Sequence, residues 1–251
     1  MFSTTSWHSR FTQQAQWTAR LRSYIYDLVS IKSATAILDI GCGTGAIESE
    51  FKTFTDANIT AVDLDYPRLA FARNHFVANW VNGNAFSLPF NRDSFDICLC
   101  HYLLLWVKDP LRVMEEMKRV THPNGYILIL AEPDYTHRID FPEELRILGK
   151  LQSESLRIQG ADSGIGPSVA GLLNQAGIDI IETGLSGGQW RPSISNEDID
   201  FEWKTLENDL STVLTKEQLQ DYRLRDLAAR HAGTRILYVP VFYAIGRIHS
   251  S

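Results

Sequence analysis

Apolar residues recur along the chain at two different spacings, and each spacing predicts one type of secondary structure. Over the first 30 residues they recur every three or four positions, which predicts an amphipathic helix. From Ala36 onward, short apolar runs predict strands, and most of them precede a stretch with a helical pattern. The strands are expected over 36–40, 58–62, 76–81, 95–100, 126–131, 178–184 and 235–248. Strands that alternate with helices favour βαβ units, and therefore an α/β fold with a mostly parallel sheet and right-handed crossovers.

The last two predicted strands are separated by an unusually long connection. It contains two predicted helices, over 197–210 and 216–231. Thr215 and Gln218 have the spacing of a capping box before the second helix, and Gly233 suits its end. Neighbouring strands need far fewer residues to connect them. We therefore interpret this segment as a lid or as a contact with a second subunit.

These patterns divide the chain into three parts. Residues 1–33 are expected to form an N-terminal helical cap. Residues 34–185 and 234–251 are expected to form the α/β core, and residues 186–233 a helical lid insertion. A homodimer through the insertion is the alternative interpretation of that third part.

Composition narrows the class of protein. The chain has 251 residues, of which 44% are hydrophobic and 22% are charged, so it can bury a substantial core. Its formal charge is −6 and it has no run of lysine and arginine, which disfavours nucleic acids and anionic membranes as partners. The apolar runs are too short to span a bilayer, and the first residues lack a signal-peptide pattern. Because three cysteines do not make a disulfide framework, we expect a reduced, cytoplasmic protein.

The candidate chemistry begins at a glycine-rich loop between the first strand and the helix after it. Gly41, Gly43 and Gly45 allow a tight turn and let backbone N–H groups approach a ligand. Asp63 ends the second strand, where a carboxylate can accept hydrogen bonds from both hydroxyls of a ribose. Together they indicate a cofactor that contains a nucleoside. Gly41, Gly43 and Ala46 also satisfy the dinucleotide pattern, so an NAD-type oxidoreductase stays open at this point.

Several further motifs accompany this loop in a fixed order. They lie at 39–45, 62–64, 83–85 with 88–90, 95–97 with 105–110, and 123–126. In this order they resemble the motifs of class I methyltransferases that depend on S-adenosylmethionine (SAM), in the small-molecule group called type 11. The resemblance covers residues 35–135 and extends more weakly to the end of the chain. It implies SAM as the cofactor and a Rossmann-like sheet of seven mostly parallel strands, with helices on both faces and an antiparallel C-terminal hairpin strand.

The resemblance also implies which residues contact the methionine end and the ribose of SAM. Asp39 is expected to orient the methionine end, and Arg22 to contact its carboxylate. Asp63 is expected to hold the ribose hydroxyls. The backbone of the loop is expected to give access to the methionine end through Gly41, Cys42, Gly43 and Gly45.

Four more residues are expected at the adenine. Leu64 and Phe86 would flank the ring, while the Ala85 N–H and the Asn84 side chain would lie at its edge. The family usually has Asp where this chain has Asn84. The amide still offers a carbonyl oxygen that can accept a hydrogen bond from the adenine amino group.

Catalytic and substrate-binding residues are expected on the loops after the fourth and fifth strands. His101 is expected to contact the cofactor and to act as a base, with a structural histidine as the alternative. Residues 132–138 are expected to shape the substrate site, with a polar surface loop as the alternative. The catalytic candidates are His101, Glu132 and His137, and the substrate-binding candidates are Trp17, Tyr102, Asp134, Tyr135, Arg138 and Trp190. No metal site is expected, because the chain has no carboxylate cluster or paired cysteine motif of the kind that binds one.

The sequence therefore predicts a SAM-dependent methyltransferase that acts on an oxygen or nitrogen of a small-molecule or peptide-like metabolite. An NAD-type oxidoreductase is one alternative, and the motifs after the third and fourth strands oppose it. A non-catalytic SAM-binding protein is the other. Asn84 favours that second alternative, whereas the complete glycine loop with Asp39 and Asp63 argues against it.

Overall fold

The computed structural model describes residues 3–187 and 195–249. Within these ranges the helices are α1 (Thr4–Leu28), α2 (Glu48–Phe54), α3 (Tyr66–His75), α4 (Pro110–Val120), α5 (Arg146–Ile158), α6 (Val169–Gln175), α7 (Asn196–Leu210) and α8 (Lys216–His231). The strands are β1 (Ala36–Ile40), β2 (Asn58–Asp63), β3 (Asn79–Asn82), β4 (Phe95–Cys100), β5 (Thr121–Pro133), β6 (Ile139–Phe141), β7 (Asp179–Ser186), β8 (Ile236–Tyr238) and β9 (Val241–Arg247).

Seven of these strands form one sheet, in the order β3-β2-β1-β4-β5-β9-β7. The first five pair in parallel, and β9 runs antiparallel to both β5 and β7. The predicted α/β fold with its antiparallel C-terminal hairpin strand is confirmed. The chain moves outward from β1 in one direction and then from β4 in the other, so the strand order switches between β1 and β4. In open α/β sheets, ligands bind at the carboxyl ends of the strands beside such a switch.

Both faces of the sheet are buried, because successive residues of its central strands point to opposite faces. On one face, Leu38 and Cys98 pack with Met114 and Met117 of α4. On the other face, alternate residues of the same strands pack with the long helix α1 and with α2; they include Ile37, Leu99, Ile25, Tyr26 and Phe51. The helices thus hold the strand ends in fixed positions.

The expectation of one continuous strand over 235–248 is wrong. The segment forms two strands, β8 and β9, which are separated at Pro240. Proline has no N–H to donate to a sheet ladder, so it ends one pairing and starts the next. β8 pairs antiparallel with β6, a short strand that the apolar pattern did not indicate, and together they form a separate two-stranded sheet.

The helices α7 and α8 form a compact unit against α5. Trp203 is 2% exposed and packs among leucines that include Leu148, Leu206 and Leu210. Its indole N–H donates to Asp226 at 2.9 Å. The predicted capping box of Thr215 and Gln218 is present at the start of α8. The division of the chain into cap, core and lid stays a prediction.

No helix within residues 3–187 and 195–249 is both long enough and apolar enough to cross a membrane.

Candidate functional site

A cavity of about 900 Å³ opens at the carboxyl ends of β1, β2 and β4. Its wall combines the glycine loop, the ends of β2 and β3, the segment after β4, and the first half of α1. Pockets of a few hundred to a thousand cubic ångströms commonly hold cofactors and small substrates. The glycine loop predicted this position. Arg22 and Trp17 were the residues of the first helix expected at the site, whereas the part of α1 that lines the cavity includes Arg10 and Gln14.

The glycine loop turns sharply away from β1 and exposes its backbone. Gly41 and Gly43 have positive φ angles, of +77° and +57°, which side chains rarely adopt. A Cβ on Gly41 would lie 2.7 Å from a methyl carbon of Leu103, so the close approach of that segment also requires glycine. The N–H groups of Gly41 and Cys42 both donate to the Val62 carbonyl, which ties the loop to β2.

Asp63 is held in place by the backbone on both sides of its carboxylate. One oxygen accepts from the Gly43 N–H and the other from the Asp65 N–H, each at 2.7 Å. Burial raises the pKa of this carboxyl, while the two N–H donors act in the opposite direction. Each carboxylate oxygen has a second lone pair. The group therefore fits the two hydroxyls of a ribose.

Asp39 and Glu48 form a buried acidic pair beneath the loop. Oδ1 of Asp39 and both carboxyl oxygens of Glu48 have no donor partner in the described part of the chain. Burial raises the pKa of Asp39 to about 7, and burial together with the charge of Asp39 raises the pKa of Glu48 well above its usual range. We therefore assign a retained proton to Glu48. Asp39 lines the cavity, and its carboxylate fits a cationic group such as the ammonium of SAM.

The residues expected at the adenine also lie on the cavity wall. Leu64, Asn84, Ala85 and Phe86 all line it. Leu64 is 70% exposed, so its apolar side chain is free to pack on a flat ring. The Asn84 side-chain oxygen accepts from the Phe86 N–H at 2.9 Å, which fixes its orientation. These residues fit a purine, and their individual contacts with the adenine are proposals.

His101 lines the cavity and is held from behind by α1. Its Nε2 lies 2.9 Å from the Thr18 hydroxyl and 3.4 Å from Nη1 of Arg22. Because a guanidinium can only donate, Nε2 must act as an acceptor, and the proton of the neutral ring is then on Nδ1. Burial and the charge of Arg22 lower the pKa of His101 well below its usual value. The ring is therefore neutral and presents an N–H donor.

Arg22 makes its contacts behind this wall. Nε and Nη2 donate to the two carboxylate oxygens of Glu50 at 2.6 Å each, and Nη1 donates to the Thr18 hydroxyl at 2.7 Å. Tyr26 donates to the same Glu50 at 3.0 Å. Arg22 is thus engaged in fixing α1 and His101.

Glu132 is completely buried and organises the segment after β4. Its carboxylate accepts from the N–H groups of Leu103, Leu104 and Leu105 at 3.0, 2.8 and 3.2 Å. Burial raises its pKa to about 8, although these donors favour the ionised form. Leu103 and Leu105 line the cavity, so Glu132 shapes the wall from behind.

The other catalytic and substrate-binding candidates differ in whether they line the cavity. Tyr102 and Tyr135 line the cavity. His137 has a side chain that is 77% exposed and that contacts Asp134, which is itself buried. The remaining three candidates have other positions: Arg138 binds Asp140 and Gln152, Trp17 is 54% exposed on α1, and Trp190 lies outside the described residues. Gly45 lies at the rear of the loop against Phe76.

Sequence reasoning missed a polar stripe along α1. Arg10, Gln14, Thr18, Arg22 and Tyr26 follow one another every four residues, which places them along one side of the helix. Arg10 and Gln14 line the cavity, and the next three support His101 and Glu50. The signal was available, because charged residues interrupt the face that packs on the sheet.

Comparisons with known proteins agree with this geometry. A methyltransferase domain model matches residues 38–129. An uncharacterised methyltransferase of Schizosaccharomyces pombe is 29% identical over 160 residues, which cover 58% of this chain and 57% of that protein. A malonyl-[acyl-carrier protein] O-methyltransferase of Pectobacterium atrosepticum is 34% identical over 108 residues, which cover 43% and 42% of the two chains. The chain thus spans about half the length of the curated relatives it matches.

The fold comparison points the same way. A phosphoethanolamine N-methyltransferase of Haemonchus contortus, solved with S-adenosylhomocysteine and phosphomonomethylethanolamine, superposes with a TM-score of 0.61 at 16% identity. The match covers 92% of this chain and 53% of that one. At this identity the likeness concerns the fold alone.

Proposed function

We propose that the chain, which is similar to SAM-dependent methyltransferases over residues 38–129, methylates an oxygen or nitrogen of a small-molecule or peptide-like metabolite bound in the cavity. The observation that carries the proposal is the continuity of the cavity. One wall holds the nucleoside-binding features, Asp63 and the glycine loop, and the same space continues past His101 to Tyr135. A cofactor and an acceptor can therefore meet without leaving the protein.

The cofactor end of the cavity has groups that can bind and orient SAM. SAM supplies, when bound, a methyl group already activated by a positively charged sulfur. Asp63 would bind the ribose hydroxyls, and the carboxylate of Asp39 would bind the ammonium group. His101 donates from Nδ1 to an acceptor atom of either bound molecule, since its Nε2 is already engaged. These groups place the methyl carbon toward the acceptor, which is the main requirement of a displacement reaction.

The segment after β4 excludes water from the reacting atoms. Leu103, Leu105 and Trp106 present apolar surface to the cavity, and Glu132 fixes this segment through three N–H groups. A dry, fixed wall strengthens electrostatic contacts and removes competing nucleophiles. Glu132 is in this account a positioning residue, which acts through the segment that it holds.

Among residues 3–187 and 195–249, none of the histidines and tyrosines expected at the acceptor end is placed to act as a general base. The neutral His101 uses its lone pair on Thr18 and Arg22, and His137 points to solvent. Tyr102 and Tyr135 have pKa values raised by burial, so both hydroxyls keep their protons. The acceptor atom that fits this end of the cavity best is one that is already deprotonated, because its methylation requires no general base.

The test is the conversion of SAM to S-adenosylhomocysteine, measured by mass spectrometry with panels of carboxylic acids, phenols, alcohols and amines. We expect conversion with members of one panel, and its loss in Asp63→Ala but not in Asp56→Ala, which removes an exposed carboxylate. A protein that binds S-adenosylhomocysteine yet converts SAM with no panel would instead be a non-catalytic binding protein.

A further inference from the structure

The two ends of the cavity differ in charge. Asp63 ends β2 and Tyr135 follows β5, and three strand spacings, about 14 Å, separate these strands in the sheet. The β2 end carries Asp39, Asp63 and Asp65, of which Asp65 is paired with Arg68, so acidic groups are in excess there and suit a cationic cofactor. The other end contains a buried arginine, Arg10, whose charge acts on the Tyr135 hydroxyl.

Arg10 has N–H donors that its partner Asp209 does not engage. It is 6% exposed, and its Nη1 and Nη2 each lie 3.3 Å from an oxygen of Asp209 on α7. Charge-assisted hydrogen bonds of this type are usually about 2.7–2.9 Å long. Arg22, on the same helix as Arg10, binds Glu50 of α2 at 2.6 Å, so the contact of Arg10 with Asp209 is the longer one. A guanidinium has five N–H donors, and Asp209 engages only two of those of Arg10.

Two neutral donors stand beside this arginine. Gln14 lies one helical turn after Arg10 and also lines the cavity. Within the described residues, neither its amide nor the Tyr135 hydroxyl has a hydrogen-bond partner. Tyr135 keeps its proton because burial raises its pKa, so its hydroxyl is available as a donor. Three kinds of donor therefore meet at this end of the cavity.

The surroundings of these donors are apolar. Phe11, Leu105, Trp106 and Leu156 line the cavity together with them. A ligand that fits this end has a hydrogen-bond acceptor at one point and a hydrocarbon body around it. An unpaired buried carboxylate is costly, whereas one that accepts from the remaining guanidinium N–H groups and from neutral donors is stabilised.

We propose that the acceptor is a small carboxylic acid with an apolar body, and that Arg10, Gln14 and the Tyr135 hydroxyl bind its carboxylate. The inference rests on the proposed function, which places the cofactor at the acidic end. Asp209 balances the charge of Arg10 in the free protein. A bound carboxylate therefore brings the net charge of the site to −1, and the free N–H and O–H donors stabilise it. A phosphate monoester, with nearly two negative charges, fits this balance less well. A carboxylate also needs no base before methylation, in keeping with the wall described above.

The test compares binding of acids with binding of their amides to protein saturated with S-adenosylhomocysteine. The probes are phenylacetate, phenylpropanoate and hexanoate with the three corresponding amides, titrated by calorimetry. We expect at least one acid to bind about tenfold more tightly than its amide, the difference of about 1.4 kcal/mol that a charge-assisted contact supplies. Equal binding of acids and amides, or binding of no acid, would overturn the proposal.

Two variants separate the role of Arg10 from its effect on folding. Asp209→Asn keeps the shape of the pair and removes the competing charge, so we expect the preference for acids to increase. The double variant Arg10→Gln, Asp209→Asn leaves no unpaired buried charge, and we expect it to lose the preference. Unchanged affinity for S-adenosylhomocysteine serves as the folding control for both.

The results distinguish a failure of the proposed carboxylate subsite from a failure of the proposed methyltransferase function. A preference that survives in the double variant would contradict the subsite alone. Failure of wild-type protein to bind S-adenosylhomocysteine would contradict the proposed function, and acid-against-amide titration of the unsaturated protein would then decide the subsite by itself.

Discussion

His101 shows how a residue that the sequence marks as a catalytic candidate can have another role once its partners are known. Its position after β4 correctly indicated the cavity wall. Thr18 and Arg22 lie 83 and 79 residues away along the chain, so their contacts with the ring could not be predicted from local sequence patterns. Those two contacts are what turn a candidate base into a neutral donor.

The protonation state of His101 is directly measurable. We expect ¹⁵N NMR to show the Nδ1–H tautomer and no titration of this ring as the pH falls from about 8 to about 6, because burial and Arg22 lower its pKa. Since the unfolded chain then binds a proton that the folded chain does not, His101 stabilises the fold above about pH 6.5, and that contribution falls as the pH decreases below it.

His101→Asn provides the assignment and the control for that measurement. Asn can keep a donor near the position of Nδ1 without a titratable ring. A resonance that disappears in this variant and that titrates near pH 6.5 in the wild type would contradict the neutral assignment.

At the scale of elements, the sequence was informative where periodicity and capping residues act locally. The parallel strands, the helices between them and the start of α8 followed from apolar spacing and from the Thr215–Gln218 capping box. The split at Pro240 and the short strand β6 did not, because β6 and β8 exist only through pairing with each other. Three-residue strands have too little pattern of their own to be detected.

For the candidate site as well, features local in sequence were predictable and contacts between distant elements were not. Motifs local to one loop, such as Gly41–Gly43 and Asp63, located the cavity. Contacts that need two distant elements, such as Arg10 with Asp209, required the structure. The acidic and histidine residues of 132–138 were plausible candidates by chemistry, but their partners place most of them behind or outside the cavity wall.

The helical insertion makes a testable contribution at this scale. Trp203 is buried against α5 and donates to Asp226, so Trp203→Ala removes both apolar packing and a buried hydrogen bond. We expect a loss of about 3–5 kcal/mol in the free energy of unfolding, measured by denaturant titration. Trp17→Ala, at a half-exposed position on α1, should change it by no more than about 0.5 kcal/mol.

A small effect of Trp203→Ala would mean that α7 and α8 unfold independently of the α/β core. That outcome would support the division of the chain into separate core and lid units. A single transition that shifts as a whole would show that the insertion is part of one cooperative fold.

At the scale of the whole molecule, the sheet topology brings the two ends of the site together. The strand-order switch between β1 and β4 opens the crevice, β2 supplies Asp63, and α1 closes the space with its polar stripe. The acidic end suits a positively charged cofactor, and the arginine end suits an anionic acceptor. Neither half would define a reaction alone, since a nucleoside site also fits an NAD-type oxidoreductase.

The cofactor assignment is therefore the claim on which the account depends most. Isothermal titration of S-adenosylhomocysteine and, separately, of NADH should be carried out on wild type, Asp63→Ala and the exposed control Asp56→Ala. The account predicts micromolar binding of S-adenosylhomocysteine to wild type and to the control, at least tenfold weaker binding to Asp63→Ala through loss of the ribose contacts, and no binding of NADH. Binding of NADH alone, or equal binding of S-adenosylhomocysteine to all three proteins, would contradict it.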